Sequence, residues 1–117
     1  MNNPEPAGAL QIFKAEFFKA LAHPIRIRIL ELLVRGERGV HEMQEALGLD
    51  QPTVSQQLAV LRAKNIVEAR KRGAAVRYTV RDPAVGELLD VARRIFDRHL
   101  IGTQAMLREL RREGRRR

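Results

Sequence analysis

The stretch from Asp50 to Lys64, DQPTVSQQLAVLRAK, constrains the fold more than any other part of the chain. Asp50 is a good helix N-cap, Gln51 and Pro52 fall in a first turn where a missing N–H costs nothing, and Val54, Leu58 and Leu61 recur at i, i+4 and i+7. These signals predict a helix with one apolar stripe, roughly 100° wide, that has to face a core. The opposite side carries Pro52, Ser55, Gln56 and Ala59, with Gln51 and Thr53 flanking at the N-terminal end. That surface is small, bears amides and hydroxyls, and holds no carboxylate. Alone, such a helix is an ordinary solvated one, so its neighbours decide its use.

Upstream, Ala22-His23-Pro24 stops one helix and opens another, with His23 at or next to the N-cap and Pro24 at N1. Ile25, Ile29, Leu30, Leu32 and Leu33 supply its buried face, and it ends before Gly36. The capping role accounts for His23, which has no partner ligand nearby. Arg26 and Arg28 stand near the start of this helix, where a phosphate oxygen is favoured; a backbone-positioning contact fits them, and so does an ordinary surface or intramolecular salt-bridge role. Gly36 and Gly39 bracket a turn, and Val40 to Leu47 reads as a short helix with Met43, Ala46 and Leu47 inward. Gly48 closes it where a left-handed backbone is cheapest. Two short helices joined by about three residues containing Gly form the signature of a helix-turn-helix.

After Lys64 the period changes from 3.6 to 2. Val67, Ala69, Val76, Tyr78 and Val80 alternate with Glu68, Arg70, Arg77, Thr79 and Arg81, interrupted by Arg72-Gly73-Ala74-Ala75. A β-hairpin with one face on the core follows. Arg70, Lys71, Arg72, Arg77 and Arg81 lie within residues 70–81 with no acid among them. Basic residues on a strand edge can serve only to block strand pairing. Directly after a helix-turn-helix, however, a basic hairpin has the form of a wing, able to lie on phosphates or enter a minor groove.

The ends of the chain are too apolar for a domain of this size. Ala9 to Leu21 places Leu10, Phe13, Phe17 and Leu21 at helical spacing, with Ile12 and Phe18 widening the surface. Asp82 as N-cap and Pro83 as N1 open a last helix. Val85, Leu89, Ala92, Phe96, His99, Thr103, Met106 and Leu110 hold one stripe along it, flanked by Leu88, Ile95, Leu100 and Leu107. From 84 to 113 it would be about 45 Å long, with Gly102 able to bend it. Pairing with a second copy buries this surface. The expected interface is Phe13, Phe17, Leu89, Ala92, Phe96, His99 and Met106, and a two-fold homodimer is the commonest closed form. Residues 1–8 and 114–117 are expected to fray, the latter as a basic tail adding non-specific affinity for DNA.

The composition agrees. The 117 residues favour one domain, 1–117, and 22 Lys and Arg against 14 Asp and Glu give a formal charge of +8, which points to a polyanionic partner. One Tyr, four Phe and no Trp argue against single-strand binding by base stacking. With no cysteine, disulfides, thiolate metal sites and thiol redox sensing are excluded. No leader pattern and no run of roughly 18 apolar residues is present, so a soluble, cytoplasmic protein is expected, with no membrane partner. No Ser-His-Asp order, Gly-rich phosphate loop or supported carboxylate pair emerges, and the chain does not read as an enzyme.

The expected fold is therefore mainly α with a small β-hairpin: a winged helix-turn-helix in the order α-α-α-α-β-β-α, with N- and C-terminal dimerisation helices. Gln51, Thr53, Ser55 and Gln56 are the candidates for base edges of double-stranded DNA, since amides pair with adenine in a two-point contact and hydroxyls are permissive. Gln57 lies at the margin of the buried stripe. Arg70, Lys71, Arg72 and Arg77, with Arg26 and Arg28, are the candidates for backbone or minor groove. A rival class fits the same pattern: a winged-helix protein-interaction module or adaptor that does not itself read DNA.

The run FKALAHPIRIRILELL, the phrase ALGLDQPTVSQQLAVLRAKNIVEARKRGAAVRYTV and the long last helix together resemble the ArsR/SmtB family of bacterial winged-helix repressors, over roughly residues 10 to 100. The resemblance implies a homodimer built from the first and last helices. It also implies two recognition helices in successive major grooves of a palindromic operator, and repression relieved by an effector. Many members sense metals, and here the chain departs. Where some members carry thiol ligands, this one has Gly39-Val40-His41-Glu42-Met43. Where others hold zinc between C-terminal helices with an aspartate, two histidines and a glutamate, it has Asp82, Ala84, Ile95 and Arg98. A shifted match through Asp97, His99 and Glu113 puts Leu110 at the fourth position, and Asp97 and His99 diverge by about 200° on a helix. No metal or other cofactor is expected. His99 fits an interface histidine, and also a switch whose protonation or metallation across the two-fold changes DNA competence. Family members can also act with a second polypeptide that senses for them.

Overall fold

The computed structural model describes residues 8–116; the expectations placed on residues 1–7 and on Arg117 lie outside the described residues. Seven elements run in the expected order: α1 (Ala9–Leu21), α2 (Pro24–Leu33), α3 (Val40–Leu47), α4 (Gln51–Ala63), β1 (Val67–Arg72), β2 (Ala75–Val80) and α5 (Ala84–Arg116). Between Val85 and Gly86 the chain divides into two compact units, a winged helix-turn-helix and the remainder of α5. No helix among the described residues is long and apolar enough to cross a membrane.

The helix boundaries follow from local chemistry. His23 accepts the Ile25 N–H on Nδ1 at 3.1 Å, capping α2 with Pro24 behind it. Asp50 Oδ1 accepts the Thr53 N–H at 2.8 Å at the head of α4, and Asp82 Oδ1 accepts that of Ala84 at 2.9 Å at the head of α5. The carboxylate of Glu42 reaches back to the Gly39 N–H at 3.0 Å and closes the start of α3. Gly48 (φ 67) ends α3 in the left-handed region. At the end of α4 that position falls to Asn65 (φ 58), with the N–H of Asn65 bonded to the Arg62 carbonyl and that of Ile66 to the Leu61 carbonyl, both at 2.9 Å.

The core of the winged unit takes one stripe from each helix. Ile29, Leu30 and Leu33 of α2, Met43 of α3 and Val54, Leu58 and Leu61 of α4 are at most 1% exposed. Ala20, Leu21, Leu47, Ile66, Val67 and Val85 complete it, and no polar side chain among the described residues is buried with them. A fully buried side chain of this size contributes roughly 1.5–3 kcal/mol, which is what holds three short helices together. Ile25 and Leu32 are only half-buried, and Ala46, expected inward, is exposed: an eight-residue helix needs only Met43 and Leu47 to seat it.

Strands β1 and β2 pair antiparallel from Val67 opposite Val80 to Arg72 opposite Ala75, leaving Gly73-Ala74 as a two-residue turn. Gly73 takes the left-handed conformation (φ 65) that such a turn requires at its first position. The apolar face is covered at its base by the core and gives out toward the tip, where Val76 is 43% exposed. An unforeseen bridge joins Arg38 to Tyr78: the Tyr78 N–H donates to the Arg38 carbonyl at 2.7 Å and the reciprocal bond is 3.0 Å. The loop before α3 is thereby stitched to β2.

Only the C-terminal end of α1 is buried, through Ala20 and Leu21; Phe17 is half-buried, and Leu10, Ile12, Phe13 and Phe18 are exposed, Phe13 to 75%. In its own unit, α5 continues as helix through Gly102 without a break and on to Arg116, past the end expected at 113. Phe96 (60%), His99 and Met106 (65%) are exposed on it.

Candidate nucleic-acid interface

The N-terminal half of α4 presents the expected small polar face. Gln51, Pro52, Gln56 and Ala59 are exposed, Thr53 and Ser55 half-buried, and Gln57 is half-buried at the stripe margin. Gln51 and Ser55 are one helical turn apart, and Gln51 Nε2 donates to Ser55 Oγ at 2.6 Å. This bond fixes the amide over the start of the helix and leaves the Gln51 carbonyl oxygen and the Ser55 hydroxyl hydrogen for other partners. Gln56 makes no side-chain bond among the described residues and stands open on the opposite flank. Hydrogen bonds from the Thr53 hydroxyl and backbone N–H hold the Asp50 carboxyl below its ordinary value of 3.8, so the one acid at this end is committed to capping.

The wing is less simply basic than its sequence. Although no acid lies within 70–81, the fold brings three to it. Arg70 pairs with Glu68 at 2.7 Å. Arg72 meets Glu37 through Nε and Nη2, each at 3.2 Å. Arg77 is gripped three ways: Nη1 to Glu42 at 2.6 Å, Nε to Glu37 at 3.3 Å, and Nη2 to the Glu37 carbonyl at 2.9 Å. Of the four wing cations singled out in the sequence, Lys71 is the one with no carboxylate partner among the described residues. The Arg72 guanidinium lowers the Glu37 carboxyl from its ordinary value of 4.5, with Arg77 and Arg70 adding to the effect. The Gly39 N–H lowers that of Glu42, helped by Arg77, and Glu37 in turn raises Arg72.

The two arginines of α2 are placed differently. Arg28 donates from Nη2 to the Leu47 carbonyl at 3.2 Å, satisfying a carbonyl at the negative end of α3. Arg26 is half-buried, and its Nε is buried without a partner among the described residues. Two features escaped the sequence reading. Glu37 and Glu42 carry the wing, and Arg62, seven residues beyond Ser55 and so on the same flank of α4, is exposed with no ion pair among the described residues. A heptad step from Ser55 would have found Arg62; nothing local would have found the carboxylates. Among the described residues no three His, Asp or Glu side chains converge closely enough to hold a metal ion.

A buried tri-helical core carrying a polar helix face beside a hairpin that is tied back to the loop before α3 defines a winged helix-turn-helix. Residues 23–69 match the model of the bacterial regulatory protein arsR family. The uncharacterized HTH-type transcriptional regulator Rv0081 of Mycobacterium tuberculosis is 50% identical over 102 residues, 86% of this chain and 90% of that protein. Its crystal structure superposes with a TM-score of 0.73 over 79% of this chain and 93% of the other. A homodimeric winged helix-turn-helix DNA-binding domain from Mycobacterium bovis, solved in solution, gives a TM-score of 0.75 at 33% identity, covering 85% and 92%. A probable mercury resistance operon repressor of Streptomyces lividans is 39% identical, covering 80% of this chain and 82% of that one. The chain belongs to the ArsR family of bacterial regulatory proteins.

Proposed function

We propose that this protein is a homodimeric, sequence-specific DNA-binding transcriptional regulator of the cytoplasm that represses an operon by occupying a palindromic operator. It acts by binding and has no catalytic role. The observation that carries this reading is the exposed, carboxylate-free face of α4, with Gln51 and Gln56 outermost, set beside a basic hairpin. Gln51, Thr53, Ser55 and Gln56 read base edges in the major groove, and Lys71 and Arg72 lie on the phosphates. Arg62 adds a backbone contact. The bared apolar face of α1, with Phe13 at 75%, and the exposed Phe96 and Met106 of α5 support a second copy as the partner of these helices. The homodimeric Mycobacterium bovis domain and the Streptomyces lividans repressor support dimerisation and repression.

The reading includes no resident metal, since the chain has no cysteine and Ala84, Ile95 and Arg98 stand where the inter-helix site would need ligands. Release from DNA then falls to a small molecule or a second sensor polypeptide. Selection of bound duplexes from a random pool by the purified protein tests the proposal. It should enrich an inverted repeat with half-sites about one helical turn apart. A pool that stays random, or no retention of duplex at all, would overturn it in favour of a protein-docking module.

A further inference from the structure

We infer that Glu37 sets how tightly the wing holds DNA: it occupies Arg72 in the place a backbone phosphate would take, while Arg77 stays behind as the brace that orients the hairpin. The inference rests on the reading that the wing meets DNA. It assigns different roles to two arginines that look equivalent in sequence.

The geometry separates them. Arg77 has three acceptors from two residues of the α2–α3 connection and α3, and its side chain is 32% exposed. With the Arg38–Tyr78 bridge beside it, this contact fixes where β2 lies relative to the helix-turn-helix. Moving Arg77 to a phosphate would take away three contacts at once, those to the Glu42 carboxylate, the Glu37 carboxylate and the Glu37 carbonyl, and so loosen the brace. Arg72 sits beside the Gly73-Ala74 turn, is 52% exposed, and has a single acceptor group, the Glu37 carboxylate. That carboxylate takes the Arg72 Nε and Nη2 in a side-on two-point contact, the same pair of donors a phosphate takes.

An exposed pair of this kind is weakly held, whereas a duplex offers a dense row of phosphates and the release of condensed counterions. Arg72 therefore transfers. Glu37 is not orphaned when it does, because its Oε1 keeps Arg77 at 3.3 Å. It is left as a negative charge beside the phosphate track, so it opposes binding twice, by competing for Arg72 and by repulsion. Neither effect depends on base sequence.

The test is a double-mutant cycle of wild type, Glu37→Gln, Arg72→Ala and the double variant, measured by fluorescence anisotropy on a selected duplex and on random duplex over a salt series. Glu37→Gln should tighten binding to both duplexes by roughly three- to tenfold, Arg72→Ala should weaken both and reduce the salt slope by about 1, and in the Arg72→Ala background Glu37→Gln should tighten binding only by the smaller, repulsive part, about twofold. An equal gain in both backgrounds, or no gain in wild type, overturns the proposal. A measurement on the wild type needs no variant to fold: on adding duplex, the Arg72 Nε–H resonance should shift and that of Arg77 should stay. Shifts of both or of neither contradict the division of roles. Absence of salt-dependent duplex binding by the wild type would instead overturn the functional reading beneath it.

Discussion

Gly48 and Asn65 close α3 and α4 in the same left-handed backbone, at φ 67 and 58, but only one of them is a glycine. A Cβ at Gly48 would meet nothing within 4 Å, so Gly48→Ala should cost only the backbone strain, about 1 kcal/mol in a thermal or urea melt. Asn65→Gly should be neutral to stabilising and Asn65→Ala destabilising by about 1 kcal/mol, the opposite ranking from a mid-helix site. Acid should act through the carboxylates. Glu37, Glu42 and Asp50 all have folded values below their ordinary 4.5, 4.5 and 3.8. Their contribution is therefore complete above those ordinary values and is lost as pH falls through the lower folded ones. Melting temperature should be flat above about pH 5 and decline below it, and in the triple variant Glu37→Gln, Glu42→Gln, Asp50→Asn that decline should be shallower.

At the scale of the element, α4 was legible because everything that makes it is local. Asp50 caps it, Pro52 sits in its first turn, and Val54, Leu58 and Leu61 are buried as their spacing requires. Leu58→Ala opens a cavity at the centre of the helical core and should cost roughly 2–5 kcal/mol, read as a lower melting temperature with loss of duplex binding in proportion to the unfolded fraction. The wing was legible only in part. Its strand alternation and turn residues are local and were read correctly, whereas the carboxylates that hold Arg72 and Arg77 lie 35 residues away in sequence. Charge counted within residues 70–81 gave an open basic surface; charge counted in space gives a braced hairpin with Lys71 and the releasable Arg72 at its working edge. In the same way the sequence left Arg28 between a phosphate contact and a surface or salt-bridge role; the bond its Nη2 makes to the Leu47 carbonyl is neither, and no local spacing points to it.

At the scale of the whole molecule, the winged unit leaves exposed Leu10, Ile12, Phe13 and Phe18, four of the α1 residues that the sequence marked as excess, while it buries Leu21 and half-buries Phe17. Phe13, at 75% exposed, can be replaced without opening the core of the unit. Phe13→Glu should yield a folded monomer by sedimentation, with melting of the winged unit retained and affinity for a two-half-site duplex reduced roughly tenfold or more through lost bivalency. A variant that stays dimeric would move the interface off α1. The formal charge of +8 gives every form of the protein some salt-dependent attraction to nucleic acid, so affinity for DNA alone says little about reading. Specificity is the decisive quantity, and of the proposed base-reading residues Gln56 is exposed and makes no side-chain hydrogen bond among the described residues, so its removal disturbs nothing else. The direct measurement is the affinity of wild type and Gln56→Ala for the selected duplex and for random duplex at one salt concentration. A loss of about 1–3 kcal/mol on the selected sequence with little change on random DNA is the predicted result; an equal loss on both would show that α4 does not read the bases.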